Sequence, residues 1–172
     1  KDIQWSEEGI KSSYKFINKL WDLNLKILQQ IKENHSEDSN ADLVKFTNKF
    51  IKKITSNLNN FSYNIIIANL HEMHSYLIKT INKKYRRETL IENYEKILTV
   101  INPIIPHFSL ECLKKIDHKV NLSWPDFDDK LLVENIIPFV VQINGKKRQV
   151  LEIERDLSEE NVLKMIFQNE NV

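Results

Sequence analysis

Between a run rich in β-branched residues, Phe139-Val140-Val141-Gln142-Ile143, and the basic run Lys146-Lys147-Arg148-Gln149-Val150, the chain carries the pair Asn144-Gly145. No other feature limits its fold so tightly. A two-residue hairpin of the type I′ class needs φ > 0 at both central residues, and the flanking Val and Ile cannot supply it, so the pair dictates strand, turn and return strand. Gly145 is also one of only two glycines in 172 residues. The turn lifts Lys146, Lys147 and Arg148 together. Three cations at a hairpin tip form either a solvated edge that resists aggregation or a finger that contacts phosphate.

Everything before this hairpin has helical periodicity. Ser6 is placed to cap a long first helix, Glu7 and Glu8 complement the positive end of its dipole, and Ile10, Tyr14, Ile17, Trp21, Leu25, Leu28 and Ile31 mark its expected apolar stripe. The polar run Asn34 to Asn40 ends it. A second helix follows, with Leu43, Thr47, Phe50, Ile51, Ile54 and Leu58 on its stripe, until Asn57 to Asn60 breaks the pattern. The third, from about Ser62 to Ile81, carries Ile66, Leu70, Met73, Leu77 and Ile81, with Ile67, His74 and Ile78 beside them, and so wide a stripe predicts a central helix. A fourth carries Leu90, Tyr94, Ile97, Leu98 and Ile101. Pro103 and Pro106 predict a stop near Ile101 and a fifth helix from about Pro106, bearing Phe108, Leu110, Cys112, Leu113 and Ile116.

A connector, His118 to Pro138, contains Trp124-Pro125 and the acidic Asp126, Asp128 and Asp129. Alternation then replaces the helical period. After the hairpin, Ser158, Glu159 and Glu160 open a short helix with Val162, Leu163 and Ile166 inside. The expected fold is therefore mainly α: a helical bundle over residues 1–128, then a connector and a small ββα (α+β) appendage over 129–172. A hairpin with one helix is marginal alone, so the appendage is expected to be the start of a larger module or to lean on the bundle.

Length and composition agree with one core plus a small second unit, since domains usually hold roughly 100–150 residues. No apolar run approaches the roughly 20 residues needed to span a bilayer, so no membrane role is expected. The first residue is Lys1 and no signal pattern follows, which suggests a piece of a longer polypeptide. A lone cysteine, Cys112, excludes an internal disulfide or a Cys-rich zinc site, fits a reducing cytoplasm and reads as a buried filler. Heavy use of Ile, Lys and Asn is the bias of an AT-rich coding sequence.

Net charge is only +1, so any nucleic-acid role must come from local patches. The densest is Lys83-Lys84-Tyr85-Arg86-Arg87, between the third and fourth helices. It reads as a solvated joint or as a set of phosphate contacts, which would supply salt-dependent affinity without reading sequence. Lys146, Lys147 and Arg148 form the second patch. His71 and His74 sit three apart, but the order His71-Glu72-Met73-His74 is not the His-Glu-x-x-His of a zinc helix, and a surface role fits them better than a metal. With Gly9 and Gly145 alone there is no glycine-rich phosphate loop, and nothing resembles a nucleophile elbow. No catalytic centre is expected within these residues.

Taken together, the segments resemble the carboxy-terminal part of the bacterial leucyl-tRNA synthetases. Trp5, Gly9, Ile10 and Lys15-Phe16-Ile17-Asn18-Lys19-Leu20-Trp21 are similar to the start of the anticodon-binding helical domain shared by the leucyl, valyl and isoleucyl enzymes. Tyr63-Asn64, Ile67-Ala68, Leu70, Glu72 and Met73 resemble the family's Phe-Asn-Thr-Ala-Ile-Ala helix, and Asn102-Pro103-Ile104-Ile105-Pro106-His107 its Pro-Phe-x-Pro-His element. The discriminating match is Trp124-Pro125, Leu132-Val133-Glu134 and Val140 to Arg148, similar to the leucyl Val-Val-Gln-Val-Asn-Gly-Lys-x-Arg hairpin. Departures are Lys11-Ser12 for Glu-Gly, Leu113 for a common Trp, and Ile65-Ile66 for smaller residues; the last implies a repacked core.

The resemblance implies a class Ia anticodon-binding bundle within a leucine-tRNA ligase. That parent enzyme would activate leucine with ATP and Mg and esterify it to tRNA(Leu), with Rossmann catalytic and editing domains lying outside this chain. It would be monomeric and cytoplasmic. This segment would hold the tRNA, the bundle along the anticodon stem and inner corner and the ββα piece near the elbow, through Lys83, Lys84, Arg86, Arg87, Lys146, Lys147 and Arg148. The competing readings are a helical protein-interaction module and the equivalent segment of a valyl or isoleucyl enzyme.

Overall fold

A computed structural model describes residues 6–33, 41–83, 85–116, 123–132, 136–143, 146–154 and 157–167. The chain divides into two units, Lys1–Leu131 and Leu132–Val172. Five helices make the first: α1 (Glu7–Glu33), α2 (Ala41–Asn59), α3 (Tyr63–Thr80), α4 (Arg87–Ile101) and α5 (Pro106–Lys115). All five stand where the periodicity places them. The Ser6 hydroxyl accepts from the Gly9 amide at 3.1 Å, which caps α1. A Cβ at Gly9 would meet the Ser6 hydroxyl at 3.0 Å, so the glycine lets the hydroxyl sit a few tenths of an ångström closer than another residue would.

Packing departs from the sequence reading at three points. On α1 the buried seam is Leu20, Leu23, Ile27 and Ile31, while Ile10, Tyr14 and Leu25 of the expected stripe are exposed. The helix carries two apolar seams, and the one pressed against the other helices is the one that steps by three and four from Phe16 through Leu20 to Ile31. The central helix is α4 rather than α3. It packs on α1, α2 and α5, and Ile97 to Ile101 is buried without interruption. Ile67, the outer member of the broad α3 stripe, is exposed; so is Ile65, which leaves Ile66 alone to repack the core.

The end of α2 is a Schellman turn. The Ser62 amide donates to the Asn57 carbonyl at 2.8 Å and the Phe61 amide to the Leu58 carbonyl at 3.0 Å. This places Phe61 where glycine is usual, at φ 53°. Residues 123–131 then run along α2: the Trp124 indole donates to the Thr55 hydroxyl at 3.0 Å, the Asp128 amide to the Asn48 side chain at 2.8 Å, and Lys52 pairs with Asp129 at 2.8 Å. Trp124 is thus the anchor of the connector. A short 3-10 turn covers Asp129–Leu132.

The second unit is an antiparallel hairpin, β1 (Ile136–Ile143) and β2 (Lys146–Glu154), followed by α6 (Glu159–Phe167). Val141, Leu151, Ile153 and Val162 form its core, with Leu157 and Ile166 packed against them. Ile143 stands opposite Lys146; the turn residues Asn144 and Gly145 lie outside the described residues. The Ser158 carbonyl accepts from the Asn161 and Val162 amides at the start of α6. No helix among the described residues is long and apolar enough to cross a membrane.

Candidate nucleic-acid interface

The joint between α3 and α4 is stitched to the C-terminal end of α1. Arg87, the first residue of α4, donates from Nε to the Ile31 carbonyl at 3.1 Å, so its guanidinium satisfies one of the carbonyls that the last turn of α1 leaves without an intrahelical donor. Gln30 reaches the other way and donates to the carbonyls of Ile81 and Lys83. Tyr85 is 2% exposed and belongs to the core. Burial pushes its phenol above the ordinary value. The aromatic within the basic run is therefore a peg that holds the joint, not a platform for bases.

Around that peg the cations have protein partners. Lys83 Nζ lies 2.8 Å from Asp42 Oδ2, and this hydrogen bond raises the lysine's pKa. Arg86 Nε lies 3.1 Å from Glu88 Oε2; the glutamate's own backbone amide and Arg86 both hold its carboxyl low. Lys83, Arg86 and Arg87 remain exposed, and solvent-facing pairs of this kind are weak because water screens them, so a phosphate can compete for them. Lys84 lies outside the described residues.

In the hairpin, two-residue steps back from Ile153 and Leu151 would carry Gln149 and then Lys147 onto the core face. A β-bulge prevents the second of these steps. Val141 pairs with Gln149, but the next pair is Gln142 with Lys147, so Arg148 is the extra residue and Lys147 shares a face with exposed Gln142. Lys147 and Arg148 are both exposed. Lys146 is paired through its backbone with Ile143.

A further cationic surface, which the sequence reading did not single out, lies on α1. Lys15, Lys19 and Lys26 follow one another by four and seven residues and fall on one side of the helix, with Asp22 among them. All are exposed. This side flanks α3, where the His71 ring stacks on Phe16 with centroids 3.8 Å apart and the His74 ring meets the same Phe16 edge-on at 6.2 Å. Burial, with the positive charges of Lys19, His71 and Lys26, lowers the pKa of His74, against the opposing effect of its hydrogen bond to the Lys19 backbone. The signal available in the sequence was the spacing of the lysines, which is weaker to the eye than a contiguous run.

No group of three or more potential metal ligands occurs among the described residues. Cys112 is fully buried, and burial raises its thiol to about 12.

Residues 40–163 match the family model for the anticodon-binding domain of tRNA ligase. The chain belongs to that family. Among curated proteins, this anticodon-binding domain is similar over its whole length to the leucine--tRNA ligases of Petrotoga mobilis, with 32% identity, and Thermotoga maritima, with 29%. It spans 23% of the length of each. The fold is that of a chain in the crystal structure of a ternary complex of Agrobacterium radiobacter K84 agnB2 LeuRS, tRNA and LeuAMS, with a TM-score of 0.79 at 20% identity; the match covers 99% of this chain and 24% of that one. Helical bundle and ββα unit are thus matched together.

Proposed function

We propose that this anticodon-binding domain is the tRNA-holding part of a leucine-tRNA ligase, which steers the acceptor end of tRNA(Leu) toward a catalytic domain elsewhere in the parent polypeptide. The observation that carries the reading is the extent of the likeness to leucine-tRNA ligases: it runs through the bundle and on across the bulged Asn-Gly-Lys hairpin. Leucine and ATP with Mg would bind that other domain. Action in the cytoplasm fits the lone buried thiol, and the parent enzyme would act as a monomer.

RNA contact by such a surface is a matter of shape and charge. Exposed cations on rigid helices and a hairpin tip meet backbone phosphates, so affinity falls steeply with salt while base identity is left unread. A filter-binding titration of the chain against tRNA(Leu) at two salt concentrations tests this. Binding that weakens about tenfold or more on raising salt from roughly 50 to 200 mM is expected for several phosphate contacts; no measurable binding at the lower concentration, or affinity indifferent to salt, rejects it and favours a protein-interaction module.

A further inference from the structure

We propose that the flank of α1 beside α3, built from Lys15, Lys19 and Lys26 with His71 and His74 gathered on Phe16, is a contact surface for the phosphate backbone of RNA. It rests on the tRNA-binding reading and names a place for it that differs from both basic runs.

The case begins with what these lysines lack. Among the described residues, Lys83 is paired with Asp42, Arg86 with Glu88 and Arg87 with the Ile31 carbonyl, whereas Lys15, Lys19 and Lys26 have no ion pair. Between Lys15 and Lys26, Asp22 is the one carboxylate on their side of α1, with Glu8 and Glu33 seven residues beyond either end, and among the described residues Asp22 makes no ion pair. Three exposed ammonium groups with one carboxylate leave an excess of positive charge along a rigid rail. From Lys15 to Lys26 that rail is about 16 Å long, enough to meet several successive phosphates rather than a single anion.

The second element is the floor between the helices. Phe16 and His71 lie nearly parallel, with 28° between their planes, and His71 is exposed. A flat ring pair beside unpaired cations is the combination that accepts a sugar-phosphate chain and the face of an unstacked base. An acidic protein surface would answer the charges but would have no use for the ring stack. The pKa of His74 is lowered first by burial, and the positive charges of Lys19, His71 and Lys26 lower it further, a contribution that an arriving phosphate would offset.

The test compares the 172-residue chain with its Lys15→Ala/Lys19→Ala/Lys26→Ala variant in binding to tRNA(Leu) across a salt series. The slope of log affinity against log salt is expected to fall by about 2–3, since each phosphate contact contributes roughly 0.7–0.9, and affinity at roughly 0.1 M salt to fall tenfold or more. A control, Lys79→Ala/Lys114→Ala/Lys164→Ala, removes the same charge from exposed positions elsewhere. Failure of the unaltered chain to bind at low salt overturns the RNA reading and this proposal with it. Binding by the unaltered chain that the first variant leaves intact, or that the control weakens equally, overturns the flank alone. Without any variant, the His71 and His74 ring signals in the NMR spectrum should shift when tRNA is added; rings that stay in place while the RNA binds also overturn it.

Discussion

In the bundle, Ile27, Ile51, Ile54, Ile66, Leu98 and Val100 are wholly shut off from solvent, whereas among the described residues of the hairpin unit the best-buried apolar side chains, Ile153, Val141 and Leu151, keep 5, 6 and 8% exposure. Both units are built from amphipathic elements, so the difference lies in how many faces each element can cover. Five helices cover one another; α1 and α4 each pack on three. A hairpin and one helix can cover only a single side of the sheet, and Val140 and Val150 on the other side stay 47 and 41% exposed. Recognition by shape needs a scaffold that holds its cations in fixed positions, and the bundle is the unit with the depth of core to do so.

The largest effect is expected from truncating that core. Ile54→Ala removes a fully buried side chain and should destabilise the bundle by about 2–5 kcal/mol. Amide hydrogen exchange would then rise throughout α1 to α5 while β1 and β2 keep the protection they had. Equal loss of protection in the hairpin would show one cooperative structure and end the comparison.

Core depth also explains what could be read from sequence. All five helix positions and the hairpin follow from periodicity, proline and the Asn-Gly pair, because those signals act within a few residues. Which seam of α1 is buried does not: Ile10, Tyr14, Leu25 and the chosen seam Leu20, Leu23, Ile27 satisfy the same spacing, and only the arrival of α3, α4 and α5 decides between them. The same holds for the cations. Lys83 and Arg87 look available in a basic run, yet their partners Asp42 and Ile31 are distant in sequence. The bulge at Arg148, which turns Lys147 outward, has no residue signature of its own; it is a consequence of pairing.

A second contrast is polarity. The bundle buries Asn24, Thr47, Asn93 and Ser109, while the buried residues of the hairpin unit are apolar among those described, with only the Oε1 of half-buried Gln149 enclosed beside them. Asn24 is fully enclosed and accepts from the Tyr94 hydroxyl at 3.1 Å; its own Nδ2 has no partner among the described residues. Tyr94→Phe should cost about 1–3 kcal/mol, since it strands the Asn24 oxygen as well. Pairing it with Asn24→Leu should restore most of that loss, because removing both polar groups leaves nothing unsatisfied. Chemical denaturation of the two variants checks this. A double variant less stable than Tyr94→Phe would mean that the asparagine has another role in the core.

The smallest effect concerns how each unit reverses the chain. The hairpin spends a glycine on its turn, while the bundle closes the Schellman turn of α2 with Phe61, a bulky residue at φ 53° whose ring is 76% exposed. A left-handed conformation costs an L-residue about 1–2 kcal/mol, and so exposed a ring recovers little of it through burial. Glycine avoids the strain but loses more chain entropy on folding, which cancels part of the gain. Phe61→Gly should therefore stabilise the bundle by about 0.5–1 kcal/mol, seen as a higher denaturation midpoint with an unchanged slope. The ring does meet Tyr63 edge-on at 6.4 Å, and a lower midpoint would show that this aromatic pair outweighs the backbone strain.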